Sequence, residues 1–418
     1  MSGWGRARLE RVSSMMKDLL AQRVNPDVPS ALSGLFPKDD DPRAISFAAG
    51  SPNQDLFPVQ AMRTAFDTAM INHGAHLFQY QTSQGNAGLR DQLARRIGKW
   101  GQVQTTGDHV VLTVGGQQAL ELVAKTLLNP GDEVVVEAPS YVGALAAFDL
   151  YAPTYYGVPL QNDGIDLNAL EDTLKQHPNI KLLYTVPDYH NPTGITMSVA
   201  KRQQLVALAN KYDFVILEDS PYRDLGYEHL PLPAIKAFDT EGRVIFVSSM
   251  SKILMPGLRT GWLVADGDLL TAILRARQAS DLEANNIVHA AIDAYLTAND
   301  LDAHVDILKA DYQRKCAAMI QALEDYFPDE VSFTRPEGGF FNWVTLPEEL
   351  DADTLLSDTI IPQAHVSYVP STNFYPDRNV RNGFRLSFTG LTPETIDEGM
   401  HRLGDQIKTA LHAAKPVV

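Results

Sequence analysis

The residues best suited to chemistry lie between Ser248 and Trp262, in the run Ser-Ser-Met-Ser-Lys-Ile-Leu-Met-Pro-Gly-Leu-Arg-Thr-Gly-Trp. Two hydroxyls (Ser249 and Ser251), one amine (Lys252), a Pro-Gly turn and a guanidinium (Arg259) follow the buried-strand pattern Arg-Val-Ile-Phe-Val of residues 243–247. Hydroxyls and a guanidinium bind a phosphate, and an amine that meets a carbonyl in a desolvated pocket forms a Schiff base. The inventory suits an amine nucleophile set beside an anion site. A lone Ser-x-Lys also fits a surface turn with a solvated lysine, so other groups must converge on Lys252 for the amine to act.

Candidates for those groups stand where other strand patterns end. Thr113-Val114-Gly115-Gly116-Gln117 hands a strand to a helix. Glycines there bare backbone N–H groups, and the helix start adds partial positive charge, which favours a phosphate. Ala138-Pro139-Ser140-Tyr141 follows the next strand, with a tyrosine that is either core or a stacking face. Asn191-Pro192-Thr193-Gly194 is a turn tetrapeptide at a strand end, where ligands bind in α/β sheets. His190 beside it reads as structural. The buried run Phe214–Leu217 ends in Glu218 and Asp219, with Tyr222 three residues beyond. A carboxylate entering an apolar site needs a partner; capping the following turn is the other reading of Asp219. In Phe384-Arg385-Leu386-Ser387-Phe388 the alternation puts Arg385 on the face opposite the apolar residues, either solvated or forked onto a carboxylate.

The elements that must hold these groups alternate strand and helix from about residue 105, the signature of a parallel sheet with crossover helices. Strands are predicted at 109–114, 133–137, 154–159, 181–186, 214–217, 244–247 and 262–265, and helices at 117–128, 141–150, 167–176 and 199–212. Three further helices (269–279, 287–297 and 305–326) lead to a tail of mixed strands and helices. Upstream, Leu9–Leu20 reads as an amphipathic helix followed by a Pro-rich arm, and Met62, Phe66, Ala69 and Met70 share one face of a short helix. The expected fold class is α/β: a large domain (51–290) with a mainly parallel seven-stranded sheet flanked by helices, plus a smaller α+β domain (291–418), with residues 1–50 an arm associated with it.

With 418 residues and 44% hydrophobic content the chain buries a large core. A formal charge of −16 argues against nucleic acid or an anionic membrane as partner, while leaving room for a local basic pocket. One cysteine, Cys316, excludes an intramolecular disulfide and CxxC metal sites and suits helix packing. No apolar run approaches the roughly 20 residues of a membrane span, and charges scatter through the N-terminus where a signal peptide would be apolar. A soluble cytoplasmic protein is expected.

Taken in order, Gly-Gly-Gln, Pro-Ser-Tyr, Asn-Pro-Thr-Gly, Asp-x-x-Tyr and Ser-x-Ser-Lys-x-x-x-Pro-Gly-Leu-Arg each follow a strand pattern. From about residue 45 to the end, this succession resembles the fold-type I, pyridoxal-phosphate-dependent class I/II aminotransferases, in the branch of 2-aminoadipate and kynurenine aminotransferases. The resemblance implies pyridoxal 5'-phosphate held by Lys252, and its phosphate held by Gly115, Gly116, Gln117, Ser249, Ser251 and Arg259. It also implies Tyr141 stacked on the ring, Asn191 and Tyr222 on the ring oxygen, and Asp219 (in preference to Glu218, from the Asp-x-x-Tyr spacing) on the protonated pyridine nitrogen. Arg385, with Asn191 and the Gly50 backbone, would take the substrate carboxylate. In Phe78-Gln79-Tyr80, Tyr80 would reach the phosphate in a neighbouring subunit, which implies a homodimer.

The chain departs from that branch in two places. Ser30-Ala31-Leu32-Ser33 ends in serine where relatives carry an arginine suited to an acidic side chain, and Val369-Pro370-Ser371-Thr372 replaces Val-Pro-Gly. The first departure weighs against aminoadipate as donor. The expected reaction is ping-pong transfer from an L-amino acid, aromatic or branched-chain favoured, to a 2-oxo acid such as 2-oxoglutarate. A β-lyase, decarboxylase or racemase would use the same cofactor set, and a cofactor-sensing regulator the same fold.

Overall fold

The structure, a computed structural model, describes residues 19–24 and 41–414. The arm at Ser30–Ser33 and most of the expected opening helix lie outside the described residues; Leu19 and Leu20 at its end are exposed.

In chain order the elements are β1 (Ile45–Ser46), α1 (Val59–His73), α2 (Ala87–Gly101), β2 (Val110–Thr113), α3 (Gly115–Leu127), β3 (Glu133–Ala138), α4 (Val142–Asp149), β4 (Thr154–Gln161), β5 (Gly164–Ile165), α5 (Leu167–Gln176), β6 (Ile180–Thr185), α6 (Val199–Tyr212), β7 (Val215–Asp219), β8 (Val244–Ser249) and β9 (Gly261–Val264). Then follow α7 (Gly267–Ser280), α8 (Asn286–Ala298), α9 (Leu301–Tyr326), β10 (Ser332–Phe333), β11 (Phe341–Thr345), α10 (Ala352–Leu355), β12 (Val366–Ser367), β13 (Val369–Pro370), β14 (Gly383–Ser387) and α11 (Pro393–Ala414).

The seven expected strands form one sheet in the order β2-β9-β8-β7-β6-β3-β4, and the two-residue β5 extends its edge. Pairing is parallel from β8 through β4, whereas β9 runs antiparallel to both β2 and β8. Strands covered on both faces read as continuous apolar runs, as β2 and β8 do, every residue of each being buried. Helices α5 and α6 begin where a side chain takes up orphan N–H groups. Asp166 accepts from Asn168 N and Ala169 N at 3.0 and 3.1 Å, and Ser198 from Lys201 N at 3.4 Å. Such caps are worth about 1 kcal/mol each.

A second sheet, β10-β11-β14-β13, is antiparallel, and β1 pairs with β12, which ties residues 45–46 to the C-terminal part of the chain. One expectation needs correction. The buried face of α1 is Met62, Ala65 and Ala69, while Met70 is exposed, one position too far round the helix. Strand β14 is buried on both faces, which rules out the solvated reading of Arg385 and leaves the carboxylate one open. Cys316 is buried within α9. Among the described residues no helix is long and apolar enough to cross a membrane.

Candidate active site

The turns that follow β2, β3, β6, β7 and β8 open on a cavity of about 340 Å³, in the size range of small-molecule sites. Gly116 and Gln117 line it from the start of α3, Tyr141 from the turn before α4, Asn191 from the turn after β6, and Asp219 and Tyr222 from the end of β7. Ser249, Ser251, Lys252 and Arg259 come from the end of β8 and its loop.

One end of the cavity is built of backbone. A Cβ on Gly261 would stand 2.5 Å from the Gly115 carbonyl carbon and 2.7 Å from Gly116 N, so β9 lies directly against the turn. Gly115 itself has φ +74°, and a Cβ there would meet Arg259 Nη2 at 2.5 Å. Gly115 lies behind the lining, and Gln117 Nε2 donates to the Gly143 carbonyl at 2.6 Å. Ser249 Oγ lies 2.8 Å from Ser251 Oγ and accepts from Ser251 N at 3.0 Å. Helix-start N–H groups, two hydroxyls and the Arg259 guanidinium make this end suited to an anion.

At the other end Lys252 Nζ donates to the Gly50 carbonyl at 2.8 Å and lies 5.4 Å from the Phe340 ring. Burial, with Arg385 and Arg259 as like charges nearby, pulls its pKa down to about 8. Asp219 is buried and accepts from the Tyr184 phenol at 2.9 Å. Burial pushes it up to about 7, against the pull of that hydrogen bond and of Lys252. Its neighbour Glu218 is fully engaged, accepting from Ile235 N and Lys236 N at 3.0 and 2.9 Å, so Asp219 is the carboxylate of this pair that faces the cavity. The Tyr222 hydroxyl is 3.5 Å from Asn191 Nδ2, and burial raises its pKa. Burial and the Asp219 charge push Tyr141 up to about 12.

Arg385 reaches the same place from β14. Its Nη1 donates to Asn191 Oδ1 at 2.9 Å and its Nη2 to the Ala48 carbonyl at 2.6 Å. The guanidinium sits 4.4 Å from the Phe341 ring and 5.2 Å from that of Phe374, and its buried Nε has no partner among the described residues. An arginine with only neutral acceptors and a spare donor is a ready carboxylate site.

Residues 42–403 match the family model described as aminotransferase class I and II. The chain belongs to the class I and II aminotransferase family. The aromatic-amino-acid aminotransferase 1 of Thermococcus litoralis is 39% identical over 368 residues, 87% of this chain and 88% of that protein. The 2-aminoadipate transaminase of Thermus thermophilus is 34% identical over 385 residues, 91% and 94% of the two chains. A kynurenine aminotransferase structure from Pyrococcus horikoshii superposes with a TM-score of 0.90 at 37% identity, covering 95% of this chain and 98% of that one.

This aminotransferase is a pyridoxal-phosphate-dependent transaminase of fold type I that acts on amino acids and 2-oxo acids. The residues present fit that cofactor. Among the described residues the buried Asp219 carboxyl receives one hydrogen bond, from a neutral phenol, and makes no ion pair; a pyridinium N–H would supply one, and the Gly115–Gly116 turn is the kind of backbone that takes a phosphate.

Of the residues singled out in the sequence, Gly50 and Arg385 reach the site through Lys252 and Asn191. Tyr80 does not line the cavity of its own chain and is 78% exposed. His190 is also outside the lining. Its Nδ1 is 2.9 Å from Thr193 Oγ1 and its Nε2 3.0 Å from Glu137 Oε2, contacts that brace the Asn191-Pro192 turn. Sequence reasoning missed Tyr184, the Ala48 carbonyl and the ring of Phe374. A tyrosine inside Lys-Leu-Leu-Tyr-Thr carries no signal beyond its polar tip.

Proposed function

We propose that the aminotransferase takes aromatic or branched-chain L-amino acids as donors and 2-oxoglutarate as acceptor, in a ping-pong exchange centred on Lys252. The observation that carries this reading is the convergence of Lys252, Asp219 and the Arg385–Asn191 pair on one cavity. Bound pyridoxal phosphate supplies the carbonyl that receives amino groups and an electron-withdrawing ring that stabilises negative charge at the substrate α-carbon.

The chain does the rest. Gly116, Gln117, Ser249, Ser251 and Arg259 would hold the phosphate, with Gly115 shaping the turn; Tyr141 would cover the ring face, and Asn191 and Tyr222 would hold the ring oxygen. Asp219 would pair with the ring nitrogen and keep it protonated. Arg385, beside Asn191 and the Gly50 backbone, would fork onto the α-carboxylate and so fix the α-carbon. Lys252 Nζ, lowered to about 8, is partly neutral near neutral pH and takes and returns the α-proton.

The rings of Phe341, Trp343 and Phe374 near Arg385 support an apolar or aromatic side chain, as does the name of the Thermococcus relative. For the homodimer, support comes from Ile71, Phe78, Tyr80 and Leu282, all more than half exposed. The Tyr80 segment is fastened beside Leu282 by Gln81 N donating to Glu283 Oε2 at 2.5 Å. In such a dimer Tyr80 would serve the neighbouring site.

A screen of amino acids against 2-oxoglutarate tests the reading. Phenylalanine, tyrosine, tryptophan or leucine should yield glutamate fastest, and Lys252→Ala should lose about 10²–10⁴-fold in turnover. Ammonia released without glutamate would identify a lyase instead.

A further inference from the structure

One buried phenol outside these roles touches the site. Tyr184 is 0% exposed near the end of β6, opposite Leu217 of the parallel strand β7. Its ring stands edge-on to Phe148, with centroids 5.6 Å apart and an interplanar angle of 81°. Packed so, the phenol has little freedom to turn, and its O–H donates to Asp219 Oδ2 at 2.9 Å. Among the described residues this is the hydrogen bond that the Asp219 side chain receives. It occupies one carboxylate oxygen and leaves the other for a ligand.

We propose that Tyr184 is a positioning residue: its phenol fixes the plane of Asp219 and stabilises its ionised form, so that the second oxygen is available to the ring nitrogen of pyridoxal phosphate. This rests on the reading that Asp219 pairs with that nitrogen. A donor to a carboxylate favours the charged state, and burial at Asp219 works against it. Without the phenol, a desolvated aspartate would stay protonated and offer the nitrogen no charge.

The test uses purified apoenzymes of the wild type, Tyr184→Phe, Tyr184→Gln and Asp219→Asn. Each is titrated with pyridoxal phosphate and with the analogue whose ring nitrogen is replaced by carbon, and the ratio of the two affinities is read. The wild type should favour pyridoxal phosphate by about tenfold to a hundredfold, the value of a hydrogen bond to a charged group. In Y184F and D219N the ratio should fall toward one, whereas Y184Q, which keeps a donor, should retain most of the preference. A wild-type preference that persists unchanged in Y184F overturns the role of Tyr184 and leaves that of Asp219 intact. Equal binding of both compounds by the wild type and D219N overturns the Asp219 reading itself, and the proposal with it. Should Y184F not fold, Tyr184→Leu, which also removes the donor, takes its place: a ratio near one supports the phenol's role, and an unchanged wild-type preference overturns it.

Discussion

At Lys252 two influences act in the same direction: burial strips water from the ammonium, and Arg385 and Arg259 add like charge. With its pKa brought from 10.5 to about 8, the folded apoprotein binds fewer protons than the unfolded chain between those two values. This group's stabilising contribution is therefore missing at neutral pH and returns as pH rises from 8 toward 10.5. The same shift sets reactivity. In the apoenzyme, labelling of Lys252 by an amine-selective reagent should rise with a midpoint near pH 8, while exposed lysines keep rising to about 10.4. Peptide mapping of labelled samples across pH measures both, and a Lys252 midpoint at the ordinary value would mean that the amine is solvated. Lys252 was legible because Ser249, Ser251 and Arg259, which line the same cavity, stand close to it in the sequence. Tyr184 was not, because its bond to Asp219 crosses two strands that are 35 residues apart.

Helices α5 and α6 run over the residues their sequence pattern gives, because capping side chains mark both starts. The antiparallel course of β9 between β2 and β8 had no such mark, since strand order depends on pairings far apart in sequence. Yet β9 supplies the glycine that lies directly against the Gly115–Gly116 turn. A Cβ at Gly261 would strike backbone atoms, which cannot swing aside as a side chain can. Gly261→Ala should cost roughly 1–3 kcal/mol of apoenzyme stability, as overpacking does, and should weaken cofactor binding by displacing Gly115 and Gly116. Gly257→Ala, in the loop that leads into β9, is the matched control, because nothing lies within 4 Å of its added carbon. Thermal melts with and without cofactor separate the two effects. If G261A binds the cofactor as tightly as G257A, β9 does not set the turn.

Across the whole molecule, the resemblance implies that Tyr80 reaches the phosphate in a neighbouring subunit, and within one chain it stands at the surface with other exposed apolar residues. Complementarity between copies is not a property of one sequence read along its length, and it is where the reading of the site extends beyond the single chain. In a two-fold dimer in which each Tyr80 serves the neighbouring cavity, two defective variants repair each other. Lys252→Ala keeps Tyr80 but has no amine, and Tyr80→Ala keeps the amine but sends no phenol across. A hybrid of the two has one cavity with both defects and one with neither. Random re-pairing makes about half of the dimers hybrids, so the mixture should recover about a quarter of wild-type activity. If Tyr80 acted within its own chain, every cavity in the hybrid would retain a defect. Denaturing and refolding the two variants together, against each refolded alone, gives the comparison: a mixture no more active than the average of its components would place Tyr80 outside the neighbouring site.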